Sequence, residues 1–427
     1  MTTPIPAAGR RLPLVLRNTA FGRVWLGQVL TQAAVRMFQV GVSWWLVAYA
    51  VSGGNGLASG LFMAVSTLPA VALAPFVARA VARFAHRSLL RAAAGTAGVA
   101  ATALAVWAYT SGLPLPAAYA ATLALATCQA FFDPCLTTSV PELVDDEDIE
   151  AATGFELSTQ SLASLGGALL GALIVDRAGV AGLAVGCAAA YVSAAALIAT
   201  VRFRTPDTGA DGGAGESERR TLRQVLAGLP YVRRILISFT AANLFTTAVF
   251  VVIPLYTKSV LHGGGGTVAL LEASLGAGTL VGSFTGARVP GRPTVVGAAC
   301  LGAMAVALGV PGLVGERPVI AGCLAVAGWS VGVIGVRFVA LFQRLVPAGD
   351  KPAFFAVMQA VLGATFPVAS LLFGLLGDHL SVQTLCLIQA AGLVPAACAL
   401  ALLREPAPEP PAAAGSPRVM EAVGGGR

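Results

Sequence analysis

The chain has 427 residues, of which 56% are hydrophobic and 11% charged, with a formal net charge of +7. Soluble domains carry about 25% charged residues, so a chain this apolar has too little polar surface to face water and needs a bilayer as its solvent. The excess charge is almost all arginine, with Lys258 and Lys351 the only lysines, and it is scattered in short segments between apolar runs. That distribution forms no basic face and argues against a nucleic-acid partner.

The first twenty residues contain no apolar signal-peptide core, so the first span is expected to be an uncleaved anchor. A membrane-crossing helix needs about 20 mostly apolar residues. Candidates in chain order are Phe21–Ala50, Leu57–Val77, Leu89–Tyr109, Ala117–Thr138, Ala152–Val175 and Val180–Val201. After a polar stretch come Ile235–Tyr256, Val268–Ala287, Val295–Val314, Val319–Leu341, Pro352–Leu376 and Val382–Leu403. They are numbered here as spans 1 to 12. The expected class is an all-α membrane protein of two six-helix halves, 21–201 and 235–403. Residues 1–20 precede them, a linker at 202–234 joins them, and a Pro-, Ala- and Gly-rich tail at 404–427 is expected to be disordered. The linker has a flexible composition around Asp207–Glu216. Its end, from Arg219 to Arg234, has the pattern of a short basic amphipathic helix on the membrane surface.

The arginines test the topology. With the N-terminus in the cytoplasm and alternation thereafter, 22 of the 27 Lys and Arg residues fall on the cytoplasmic side. Only Arg177, Lys258 and Arg317 fall outside, and Arg36 and Arg337 lie within spans. The positive-inside rule therefore places both termini in the cytoplasm of a multi-pass protein of the cell inner (plasma) membrane. The acidic run from Glu142 to Glu150 is cytoplasmic in this arrangement, and acids weigh little in the rule.

The order of several local motifs resembles the major facilitator superfamily, in particular its drug and siderophore exporter branches (enterobactin-exporter-like and macrolide-efflux-like carriers). Phe21-Gly-Arg-Val-Trp25-Leu-Gly27-Gln28 is similar to their first-helix opening. Phe131-Phe132-Asp133-Pro134 with Pro141-Glu142-Leu143-Val144 is similar to the end of their fourth helix and the next loop. The basic stretch Arg219–Arg234 is similar to their connector. The chain departs from the family at three places. In the loop after span 2 the family's glycine and acid positions are Ala78 and Ala82, while Arg83 and Arg87 remain. In span 1 the position before Arg36 is Val35 where relatives often have Asp. In span 5 the glycines Gly166, Gly167 and Gly171 lack the usual Gly-Pro.

No nucleotide-binding GxxxxGK[ST] loop occurs, and the three histidines (His86, His262, His379) sit in predicted loops without a metal-type cluster. The chain is thus expected to be no enzyme, without cofactor or metal. The seven cysteines lie in apolar runs and read as packing residues.

The charges inside spans carry most of the functional information, because each costs about 2.5–3.5 kcal/mol to insert at mid-bilayer. Arg36 sits mid-span. The resemblance implies that helices 1, 4, 7 and 10 line a central cavity, so Arg36 is a candidate to bind an anionic group or pair with an acid. Gln32, Arg36 and Gln39 share one helix face. With Gln129, Asn243 and Tyr256 they form the substrate-binding candidates, the alternative being hydrogen bonds between helices. Glu272 and Glu156 are proton-coupling candidates, or else hydrated acids near helix ends. Asp133, Arg83, Arg87 and Arg337 are gating candidates. Trp25, Trp44 and Trp45 are expected in an interfacial aromatic belt. Gly278, Gly282 and Gly286 in span 8, with Gly167 and Gly171 in span 5, are expected to form a sliding seam between the halves, against a background of 50 glycines.

The resemblance implies a secondary transporter, monomeric, with protons and a small-molecule substrate as partners. It would export a small amphipathic or natural-product-like molecule such as a drug, antibiotic or siderophore. A non-transporting sensor or assembly protein of the same fold and a nutrient importer remain as alternatives.

Overall fold

The computed structural model describes residues 14–51, 53–144, 148–201, 230–347 and 350–403, and among them there are helices and turns but no strand. The acids Asp145, Asp146 and Glu147, most of the linker and the tail from Arg404 lie outside the described residues. The Tyr231–Arg234 end of the basic stretch is described, and it forms the first turns of span 7 rather than a separate surface helix.

Ten of the described helices are long and apolar enough to cross a membrane. Two further spans complete the expected twelve. Thr19–Trp45, continued by a π-helical turn at Leu46–Ala50, is long enough but carries Arg23, Gln28, Gln32, Arg36 and Gln39. It is span 1, and its polar stripe lowers its hydropathy. Ile149–Ala199 covers two spans and is broken at Gly179, whose φ of 68° and ψ of −176° no side chain but hydrogen tolerates well. Residues 149–178 are span 5 and residues 180–199 span 6.

Span 2 is Asn55–Ala72 followed by Ala74–Arg83, with the break at Leu73. Pro75 has no N–H to continue the ladder there. Span 3 is His86–Ser111 and span 4 is Leu115–Leu143. Span 7 joins Pro230–Thr247 to Val249–Ser259. Spans 8 to 12 are Gly265–Thr285, Pro293–Gly309, Arg317–Leu345, Lys351–His379 and Val382–Leu402.

Spans 1–6 pack mainly on one another, as do spans 7–12. The halves meet where span 2 lies along span 11 and span 5 along span 8. The even number of spans leaves Leu14 and Leu403 on one face, called the terminal face below; the other is the distal face.

The glycine stripes do not lie where the sequence suggested. A Cβ on Gly278 or Gly282 would sit 2.1 Å from the carbonyl oxygen of Ala325 or Trp329 in span 10, and one on Gly171 2.4 Å from that of Met37 in span 1. Both stripes therefore hold helices together within a half. Small residues serve this purpose in lipid, where dispersion contacts replace the hydrophobic drive. Between the halves the close approach is made by Gly56 and Gly60 against Ser370 and Gly374, and by Gly265 against Ala172.

Candidate functional site

One cavity in each half brings polar residues together inside the bundle. The first, of about 230 Å³, is enclosed by spans 1, 2, 4 and 6, with Gln39, Ser66, Thr122, Gln129, Asp133 and Tyr191 as its polar lining. Span 4 continues to Leu143, so Asp133 does not end the helix as its sequence context suggested. It lies ten residues before that end, about 15 Å back along the helix. Its carboxylate accepts hydrogen bonds from Gln32 Nε2 (2.8 Å) and Gln129 Nε2 (2.5 Å). Three of the expected residues thus form one cluster, and Asp133 belongs to the cavity rather than to a gate at the membrane surface.

Arg36 stands one turn beyond Gln32 on span 1. Its Nη1 donates to Gln39 Oε1 at 3.0 Å, and its guanidinium carbon lies 5.3 Å from the centre of the Phe250 ring in span 7. Its Nε is buried without a hydrogen-bond partner. Glu272 on span 8 is only 5% exposed, and among the described residues it forms no ion pair. Two ionisable residues from opposite halves, Arg36 half-buried and Glu272 buried, thus lie inside the bundle. A charge is costly there, and the cation–π contact of Arg36 with Phe250 offsets part of that cost.

The second cavity, of about 260 Å³, lies in the other half between spans 7, 9, 10 and 11. It is lined by Phe239, Asn243, Phe338, Phe342, Met358 and Gln359, among others. Asn243 Nδ2 donates to Leu362 O (3.0 Å) and Thr365 Oγ1 (2.6 Å), so it is half engaged with span 11. Phe239 meets Phe338 edge to face at 4.4 Å. An apolar aromatic wall with a few amides can hold an amphipathic molecule.

Other expectations change. Tyr256 is 2% exposed and its hydroxyl donates to the carbonyls of Pro311 (2.6 Å) and Val314 (3.2 Å). It ties span 7 to the turn after span 9. Arg337 Nη2 donates to Gly291 O at 2.5 Å, in the loop between spans 8 and 9, so it holds a loop rather than an acidic gate partner. Arg83 and Arg87 are exposed, and among the described residues neither pairs with an acid. Instead His86 Nδ1 meets Glu142 Oε1 at 2.5 Å; this histidine is the first residue of span 3 and fastens it to the end of span 4. Trp44 is buried, with its Nε1 2.6 Å from Asp176 Oδ1, and so stands outside any aromatic belt. The backbone of Glu156 lies in span 5, and its side chain is outside the described residues.

Sequence reasoning missed Phe250, Tyr191, Gln359 and Thr365. Single aromatics and hydroxyls in a span carry no periodic signal, and only the fold shows which of them face the interior.

A family profile described as Major Facilitator Superfamily matches residues 24–336. The chain belongs to this superfamily. Among solved structures, a D-xylose–proton symporter superposes with a TM-score of 0.69 at 14% identity, covering 89% of this chain and 96% of the symporter. A bacterial homologue of the iron transporter ferroportin, in an inward-facing state, gives 0.68 at 14% identity, covering 90% and 98%. A nucleoside transporter, in a mutant form, gives 0.64 at 14%, covering 90% and 99%. Likeness at this identity shows the fold alone, and these three differ in what their names say they carry. A search of curated proteins finds no match. As a superfamily member with the fold of these carriers, the chain is a multi-pass membrane transporter of the major facilitator type.

Proposed function

We propose that the chain is a secondary active exporter of a small amphipathic molecule, driven by the proton gradient and working by alternating access between its halves. The carrying observation is a half-buried Arg36, held by Gln39 and the Phe250 ring, and a buried Glu272 in the opposite half, set beside two amide-lined cavities. In this scheme Glu272 takes and releases the coupling proton, and Arg36 holds a polar or anionic group of the substrate while Glu272 is neutral. Asp133, Gln32, Gln39 and Gln129 position the substrate's polar end. Asn243 and the phenylalanines of the second cavity receive its apolar part. The terminal face is cytoplasmic, in keeping with the arginine count, and the unit is a monomer.

The test is uptake into everted membrane vesicles of a panel of amphipathic antibiotics, dyes and siderophores, with and without an uncoupler. Uncoupler-sensitive uptake that falls at least about tenfold in Arg36→Ala and Glu272→Gln supports the scheme. Equal flux in wild type and both variants overturns the coupling role. The replacement of the family's acid by Ala82, with Arg83 and Arg87 exposed and without an acidic partner among the described residues, favours the non-transporting alternative. No flux for any solute in the panel would leave that alternative standing.

A further inference from the structure

The two helices that start at the seam between the halves begin without side chains to cap them. Span 2 is preceded by Gly54, with φ 71°, and span 8 by Gly264. Neither makes a side-chain cap, although the first N–H groups of a helix need acceptors. The acceptors come from the other half. Asp378, at the end of span 11, accepts from Gly56 N (Oδ1, 2.8 Å) and Leu57 N (Oδ2, 3.1 Å). Asp176, at the end of span 5, accepts from Gly265 N through Oδ2 and from Trp44 Nε1 (2.6 Å) and Tyr49 OH (3.0 Å) through Oδ1.

The two contacts are related by the internal repeat. Asp176 follows Ala172 by four residues, and Asp378 follows Gly374 by four. A Cβ on Gly265 would sit 2.2 Å from Ala172 O, and one on Gly56 2.5 Å from Gly374 O, so each acid caps the helix that crosses its own helix most closely. An acid in the last turn of a helix opposes that helix's own dipole. Here each is offset by the positive N-terminus of a helix from the other half. A third contact has the same character with the signs reversed: Lys258 Nζ at the end of span 7 donates to Val47 O and Ala48 O, the carbonyl end of span 1.

We propose that Asp176 and Asp378 are paired positioning residues of the transport cycle, clasping the distal gate by capping helix ends across the two halves, with Lys258 as a third clasp. This rests on the alternating-access reading, since opening the distal face must pull all three apart. Both acids are exposed at the rim, so salt weakens the clasp.

The experiment measures distances between pairs of spin labels in the full chain, with native cysteines replaced, in lipid nanodiscs. One pair, Ser111→Cys with Leu313→Cys, spans the distal face; the other, Arg87→Cys with Arg292→Cys, spans the terminal face. In Asp176→Asn/Asp378→Asn the open-to-closed ratio at the distal pair rises about tenfold. The terminal pair shortens with it. Asp176→Glu/Asp378→Glu, which keeps both charges, stays closer to wild type, and high salt moves wild type toward the Asn variant. Distal distances unchanged in the Asn variant, with the protein folded and monodisperse, overturn the clasp. So does a distal shift with no answering change at the terminal pair, which would mark mere loosening. Vesicle uptake separates the underlying reading: a clasp that opens as described in a chain whose uptake is insensitive to the uncoupler overturns proton-driven export and not the clasp.

Discussion

Replacing Gly282 by alanine tests the packing inside the C-terminal half. The added Cβ would sit 2.1 Å from the carbonyl oxygen of Trp329. Non-bonded carbon and oxygen approach to about 3.3 Å, so spans 8 and 10 must part locally by about 1 Å. The obstacle is backbone and cannot rotate away. The seam is reciprocal, because Gly328 and Gly332 of span 10 are as tightly faced by Leu275 O (2.0 Å) and Thr279 O (2.3 Å) of span 8. Overpacking of this kind costs about 1–3 kcal/mol, or several degrees of Tm at about 2–4 °C per kcal/mol. Gly322, on span 10 but with nothing within 4 Å of its Cβ position, is the control. Alanine there gains up to about 1 kcal/mol of helix propensity. Thermal unfolding of the purified protein in detergent should rank Gly322→Ala at or above wild type and Gly282→Ala well below. Equal melting of the two variants would refute the close seam.

Tyr256→Phe leaves the buried carbonyl of Pro311 without its donor and should cost about 1–3 kcal/mol in the same melting assay while leaving the substrate KM unchanged. A changed KM with unchanged Tm would return Tyr256 to the binding site. Asp133→Asn keeps the shape of the Gln32–Asp133–Gln129 cluster and removes its charge, so transport should fall by more than about tenfold with Tm shifted by no more than a few degrees. A flux equal to wild type would place Asp133 outside the substrate path. Glu142→Gln weakens the part-buried contact with His86, in which the two side chains are 16% and 22% exposed, and should lower stability by about 1–3 kcal/mol; unchanged melting would mean that the contact does not anchor this end of span 4.

The spans were legible because insertion in lipid demands about 20 apolar residues whatever their order. The break at Gly179 was legible too, since Asp176, Arg177 and Gly179 interrupt an otherwise apolar run. Arg36 and Glu272 stood out for the opposite reason, as charges where charge is costly. What the sequence hid was direction. Gly278 and Gly282 announce a close contact but not whether it is with span 5 or span 10, and the answer was span 10. Tyr256 and Arg337 bind backbone carbonyls, which every residue possesses, so no sequence signal marks their partners. Asp176 and Asp378 did leave a trace: each follows a small residue by four positions at the same end of the fifth helix of its half. The trace is visible only when the halves are aligned, and read singly the two acids pass for loop charges.

Alternating access can be tested without knowing the substrate. A single cysteine at Thr246, which lines the second cavity, is placed in a chain with its native cysteines replaced, in sealed proteoliposomes of scored orientation. An impermeant maleimide is then added to one side at a time. Alternating access predicts that Thr246→Cys reacts from the terminal face and, more slowly, from the distal face, while the vesicles stay closed to the reagent. Reaction from one face only, even in the Asp176→Asn/Asp378→Asn background, would contradict it.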